Sequence, residues 1–65
     1  MTIKELELEC QQARADERQA YKELQEMPMS EIDSPAGRNV FERIDAAKKR
    51  FKDATVRIGK LILND

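Results

Sequence analysis

The sequence predicts an all-α fold, an antiparallel two-helix coiled-coil hairpin that assembles into a dimeric helical bundle. Three observations carry this expectation. Apolar residues recur at alternating intervals of three and four along two arms of similar length. One short segment between the arms holds Pro28, Pro35 and Gly37, three of the four glycines and prolines in the chain. Neither arm shows the period of two that a half-buried strand requires. The 65 residues are read as one helical-hairpin domain, 1–65. It has a helix over about 2–27, a turn over about 28–34 and a helix over about 35–63.

The first arm opens on Thr2, with Glu5 three residues later, a capping-box pattern. Met1 and Leu6 stand where a hydrophobic staple would close over that cap. The arm is rich in Glu, Gln, Ala, Arg, Leu and Lys, all good helix formers. Pro28 ends it, because the residue before a proline is steered out of the helical region. The second arm starts with Ser34 as N-cap and Pro35 in the first turn, where a missing N–H costs nothing. It runs through Phe41, Ile44, Phe51 and Ile58 to about Leu63. Gly59 is its weak link, at about 1 kcal/mol relative to alanine.

The seams can be traced residue by residue. Ile3, Leu6, Cys10, Ala13, Glu17, Ala20, Leu24 and Met27 form one. Val40, Ile44, Ala47, Phe51, Ala54, Ile58 and Leu61 form the other. Both are heptad stripes. A short turn forces the arms antiparallel, and the layers become Ile3/Leu61, Leu6/Ile58, Cys10/Ala54, Ala13/Phe51, Glu17/Ala47, Ala20/Ile44 and Leu24/Val40. This register makes an independent demand on one flank. It must juxtapose Glu9 with Arg57, Asp16 with Arg50, and Glu23 with Arg43, and all three are acid–base pairs. Such exposed pairs specify register more than they stabilise.

The other flank sets Tyr21 beside Phe41, Arg14 beside Lys48, and Glu7 beside Thr55, with Ile62 beyond. Val56, Gly59 and Leu63 add to the outer surface of the second arm. A chain this small usually needs a disulfide, a metal or a partner. Apolar side chains outside the seam mark where a partner sits. The expected interface is Tyr21, Phe41, Thr55, Val56, Ile62 and Leu63, serving a homo-oligomer, most simply a dimer. The plainer reading is that Tyr21 and Phe41 only cover the turn end. In a two-fold dimer the Arg14/Lys48 pairs approach and repel, and the face then suits an acidic heterologous partner.

Other singled-out residues have modest expected roles. Glu17 interrupts the seam opposite Ala47, where it snorkels past Ala47 toward a neighbouring arginine or fixes oligomer register; the functional reading is a recognition or specificity residue. Cys10 is a small apolar seam residue. Lys48, Lys49, Arg50 and Lys52 form the densest basic run, spread around a helix as a solvated surface. Arg14, Lys48, Lys49 and Lys52 are the candidate contacts for an anionic partner, and nucleic acid is the alternative to protein.

Composition narrows the chemistry. With no histidine and one cysteine, no His/Cys metal cage and no Ser–His or Cys–His catalytic unit can be built within the chain. A two-helix hairpin has little concavity in which to exclude water. No catalytic residue, cofactor, metal or small-molecule substrate is expected. Net charge is −1, so a strongly basic overall footprint is absent. Residues 1–30 hold seven acids and four bases, net −3; residues 31–65 hold six and eight, net +2. No apolar run reaches the length of a membrane span, and the first residues lack a signal-peptide apolar region. The expected compartment is the cytoplasm.

Thr2-Ile3-Lys4-Glu5 opening a heptad arm, a turn near residue 32 and a second heptad arm resemble the dimeric RNA-binding Rop family of plasmids. They are similar also to the small hairpin co-chaperones of type III secretion needle subunits. Compact accessory proteins of bacteriophages share this size and charge-rich character. The resemblance implies a helical-hairpin accessory protein. Rop-like RNA binding uses polar and basic residues of the first helices around a phenylalanine. The first arm here is net acidic and has no phenylalanine, so that activity is not carried over. The expected function is a non-enzymatic protein–protein interaction module or small regulator, with a nucleic-acid-binding regulator as the alternative.

Overall fold

The computed structural model describes residues 1–63. Helix α1 spans Ile3–Glu26 and helix α2 spans Pro35–Leu63, packed antiparallel, with a single 3₁₀ turn, Met29–Glu31, between them. No strand occurs among the described residues. The first helix starts and ends one residue inside the expected bounds.

Thr2 caps α1 as its sequence predicts. Its Oγ1 accepts from the Glu5 N–H at 3.2 Å, and Glu5 Oε1 accepts from the Thr2 N–H at 3.3 Å. The Thr2 backbone and then its side chain hold the Glu5 carboxyl below its ordinary value. Met1 is 71% exposed and lines a groove with the buried Leu6. At the other end Met27 is extended and its N–H reaches the Leu24 carbonyl at 3.2 Å. Pro28 then feeds the 3₁₀ turn, closed by Glu31 N–H to Pro28 O at 2.9 Å.

Ser34 stands at the expected N-cap position, and its carbonyl accepts from the Arg38 N–H at 3.0 Å. The hydroxyl donates back to the Glu31 carbonyl, and the Ser34 N–H does the same at 3.0 Å. The 3₁₀ turn brings that carbonyl back over residue 34, so the hydroxyl locks the turn. Gly37 is buried where the first turn of α2 crosses this segment. A Cβ there would run into the Ile32 carbonyl, with Glu31 O at 2.8 Å. Two backbones meet here, and only glycine admits that approach.

The core is the predicted seam, thinned. Leu6, Ala13 and Ala20 of α1 are buried with Val40, Ile44, Ala47 and Ala54 of α2. Ala20, Val40 and Ile44 form the tightest cluster, with Leu24 and Met27 packed on it. The expected Ile3/Leu61 layer is not closed, with the two side chains 38% and 40% exposed. It is the last layer before the helix ends and has no further layer above it. Phe51 and Cys10 are half-buried, because two helices wall a seam on two sides only. The molecule is a rod of 52 × 14 × 13 Å. Its radius of gyration of 14.9 Å exceeds the roughly 11 Å of a compact chain of this length.

Candidate functional site

The two flanks of the seam differ in how their charges are used. On one, the Arg43 guanidinium grips Glu23 bidentately at 2.9 and 2.7 Å. Arg50 donates from Nη1 to Asp16 at 2.7 Å and from Nε to Glu9 at 2.9 Å. The Glu23/Arg43 and Asp16/Arg50 pairs stand as the register requires. The expected Glu9/Arg57 pair does not form. Glu9 and Asp16 lie two turns apart on one side of α1, and the forked donors of Arg50 reach both. Arg57 makes no ion pair among the described residues and lines two shallow grooves, one with Met1, Leu6, Lys60 and Leu61 and one with Glu9, Arg50 and Asp53. Arg43 holds the Glu23 carboxyl below its ordinary range, and Glu23 in turn raises Arg43. Glu9 and then Asp16 raise Arg50. This flank is stitched shut by its own side chains.

The opposite flank has no such stitching. Arg14 lies over the Phe51 ring, its guanidinium carbon 4.6 Å from the centroid. Lys48 Nζ lies 5.7 Å from the centroid of Tyr21. These are cation–π contacts. Among the described residues neither cation makes an ion pair. Each cation reaches along the rod to a ring, Arg14 to Phe51 and Lys48 to Tyr21. Tyr21, then Glu17 and Asp45 at longer range, raise the Lys48 ammonium above the usual lysine value. Tyr21 and Phe41 remain exposed, Phe41 at 45%.

Thr55 joins this flank to the seam. Its hydroxyl donates to the Phe51 carbonyl at 2.8 Å, which uses its one proton. The Cys10 Sγ, 3.9 Å from Thr55 Oγ1, is therefore on the donor side of that weak contact. Glu17 is half-buried and shares a shallow groove of about 350 Å³ with Arg14, Arg18 and Tyr21, and it makes no ion pair among the described residues.

Ile62 and Leu63 are exposed at the end of α2, where α1 has no helical residue left to oppose them. Val56 and Leu63 stand on the outer surface, away from the seam. Lys49 is exposed between Lys48, which turns to Tyr21, and Arg50, which turns to the carboxylates, so it does not join the open flank. Lys52 is exposed one turn beyond Lys48. Sequence reasoning passed over Arg18, whose position four residues after Arg14 places it on the same side. It also passed over Leu8, an exposed apolar residue on the outer surface of α1 that no seam pattern marks.

No protein-family model, curated protein or solved structure matches this chain. Among the described residues no three of His, Cys, Asp and Glu converge as a metal site, and no helix is long and apolar enough to cross a membrane. The grooves along the rod are open to solvent on one side. What this arrangement offers chemically is a long, flat contact surface with aromatic anchors and available cations.

Proposed function

We propose that the protein is a non-enzymatic protein–protein interaction module, a small regulatory or accessory protein whose open flank takes a further helix. That helix comes from a second copy in a dimeric bundle or from another protein. One observation carries the reading: Tyr21 and Phe41 are exposed on the flank that intramolecular ion pairs leave uncovered. Exposed aromatic anchors beside an apolar seam are what helix docking uses. A third or fourth helix also covers Phe51 and Ile58, which two helices leave half-buried.

The test is sedimentation equilibrium across a concentration series, paired with titration of amphipathic helical peptides. Wild type is compared with the Tyr21→Glu, Phe41→Glu double variant. The expected result is association or peptide capture by wild type that the two charges abolish while helicity is retained. Association unchanged by both charges overturns the assignment of this flank.

The second reading is a nucleic-acid-binding regulator using Arg14, Lys48 and Lys52. It is favoured by the lack of carboxylate partners on Arg14 and Lys48 among the described residues.

A further inference from the structure

A net charge of −1 conceals a division of charge between the two sides of the rod. Heptad spacing sorts exposed residues by side, counting the positions that flank the seam and those next outward. With Tyr21 and Phe41 lie Lys4, Arg14, Arg18, Arg38, Lys48 and Lys52, all exposed. Glu7 and Asp45 are the acids there, so the side is net +4, or +3 with Glu17 at its edge. The opposite side holds six acids and four bases, net −2. Two of those bases, Arg43 and Arg50, are already bound to carboxylates. The groove linings agree with this sorting. One contains Arg14, Arg18 and Tyr21; another contains Asp16, Arg43 and Arg50.

We propose that the cationic side is the docking surface for an acidic amphipathic helix of another protein. This rests on the reading of the open flank as a helix-binding surface, and names its occupant. Apolar residues of the incoming helix seat on Tyr21, Phe41 and Ile62, and its carboxylates meet Arg14, Arg18, Lys48 and Lys52. Charge complementarity selects this occupant over a second copy. A two-fold contact through this side sets one cationic surface on another, and like-charge juxtaposition opposes it.

The cations are also prepared for carboxylates. Arg14 and Lys48 are steadied over aromatic rings, and no internal acid has to be displaced from them. The same side carries exposed Phe41 and Ile62 together with Glu7, Asp45 and Glu17. The exposed aliphatic Ile62 has no counterpart on a phosphate backbone, whereas the apolar stripe of an amphipathic helix covers it. An acidic protein helix is therefore favoured over nucleic acid.

The experiment is a fluorescence anisotropy titration with three labelled designed peptides that share a leucine seam. Their flanking positions are Glu, Gln or Lys. A single-stranded and a duplex oligonucleotide complete the set of probes. The proteins are wild type, an Arg14→Glu, Lys48→Glu variant, and a Lys22→Glu, Lys49→Glu control on the outer surface, each checked for helicity. The expected result is that wild type binds the Glu peptide about tenfold more tightly than the Gln peptide, and the Lys peptide least. That preference vanishes in the flank variant, survives in the control, and shrinks between about 0.05 M and about 0.5 M salt.

Equal binding of the Glu and Gln peptides overturns the acidic assignment and leaves the helix-binding surface intact. Equal losses in the flank and control variants overturn it as well. Tighter binding of either oligonucleotide than of the Glu peptide reassigns the surface to nucleic acid. If no peptide or oligonucleotide binds and sedimentation shows a monomer, both the occupant and the helix-binding reading fall.

Discussion

The two ends of the hairpin obey one heptad pattern and are built differently. At the turn end, Ala20, Val40 and Ile44 close into a buried cluster, and Gly37 lets α2 press onto the backbone of the turn. At the other end Ile3 and Leu61 occupy equivalent seam positions and stay well exposed, and Gly59 has open space around it. A connection lets the turn end bury its layers on three sides. At the open end, Ile3 and Leu61 have no third wall among the described residues. Spacing therefore decides which residues face inward, whereas position along the rod decides how much burial results.

The largest effect expected from this comparison is at Ile44, which is only 4% exposed. Ile44→Ala should lower stability by about 3 kcal/mol, and Leu61→Ala by about 1 kcal/mol. Urea denaturation read by circular dichroism measures both, and equal losses would erase the distinction between the ends.

Gly37→Ala comes next. The added methyl cannot be absorbed by a flexible side chain, since backbone carbonyls meet it. A loss of about 2–3 kcal/mol is expected, seen as a drop in the denaturation midpoint. A neutral outcome would show that the turn backs away from α2 freely.

Gly59→Ala should act with the opposite sign. Nothing lies within 4 Å of the added Cβ, and the glycine has no positive φ. Helix propensity then adds about 1 kcal/mol of stability. Destabilisation would mean that this glycine already sits against something in the assembled protein, which would move the interface toward the free ends.

The smallest effect concerns the stitched flank. A double-mutant cycle on Glu23 and Arg43 should show modest favourable coupling at neutral pH. Folding lowers the Glu23 value, so its contribution is fully present above the unfolded carboxylate value. It is lost as pH falls through the lower folded value. Coupling that persists in strong acid would exclude the ion pair as its source.

Much of this was legible in the residues. Thr2 and Glu5 marked the start of α1, Pro28 its end, and Pro35 the start of α2. The seven buried apolar residues all lie on the predicted stripes. Two acid–base pairs named from register alone, Asp16/Arg50 and Glu23/Arg43, are formed. Ser34 marked the N-cap, and the partner of its hydroxyl was hidden because a turn of unknown geometry could present either an amide or a carbonyl to it. The capture of Glu9 by Arg50 was hidden because a long forked side chain can choose between acids one heptad apart.

The open flank was legible as a place and not as a chemistry. Tyr21, Phe41, Arg14 and Lys48 were assigned to it from spacing. Their pairing of cation with ring depends on side-chain reach along the rod.

The sequence by itself determined two helices, their break, their inward stripes and their register, because all of these are phases of a repeat written along one dimension. Tertiary structure alone decided that Gly37 is pressed against a backbone carbonyl where Gly59 has open space, that Arg50 bridges two carboxylates, and that Phe51 lies half-open beneath Arg14. Each of those outcomes turns on distances set by how the turn and the two helices meet in space, and periodicity carries no measure of such distances.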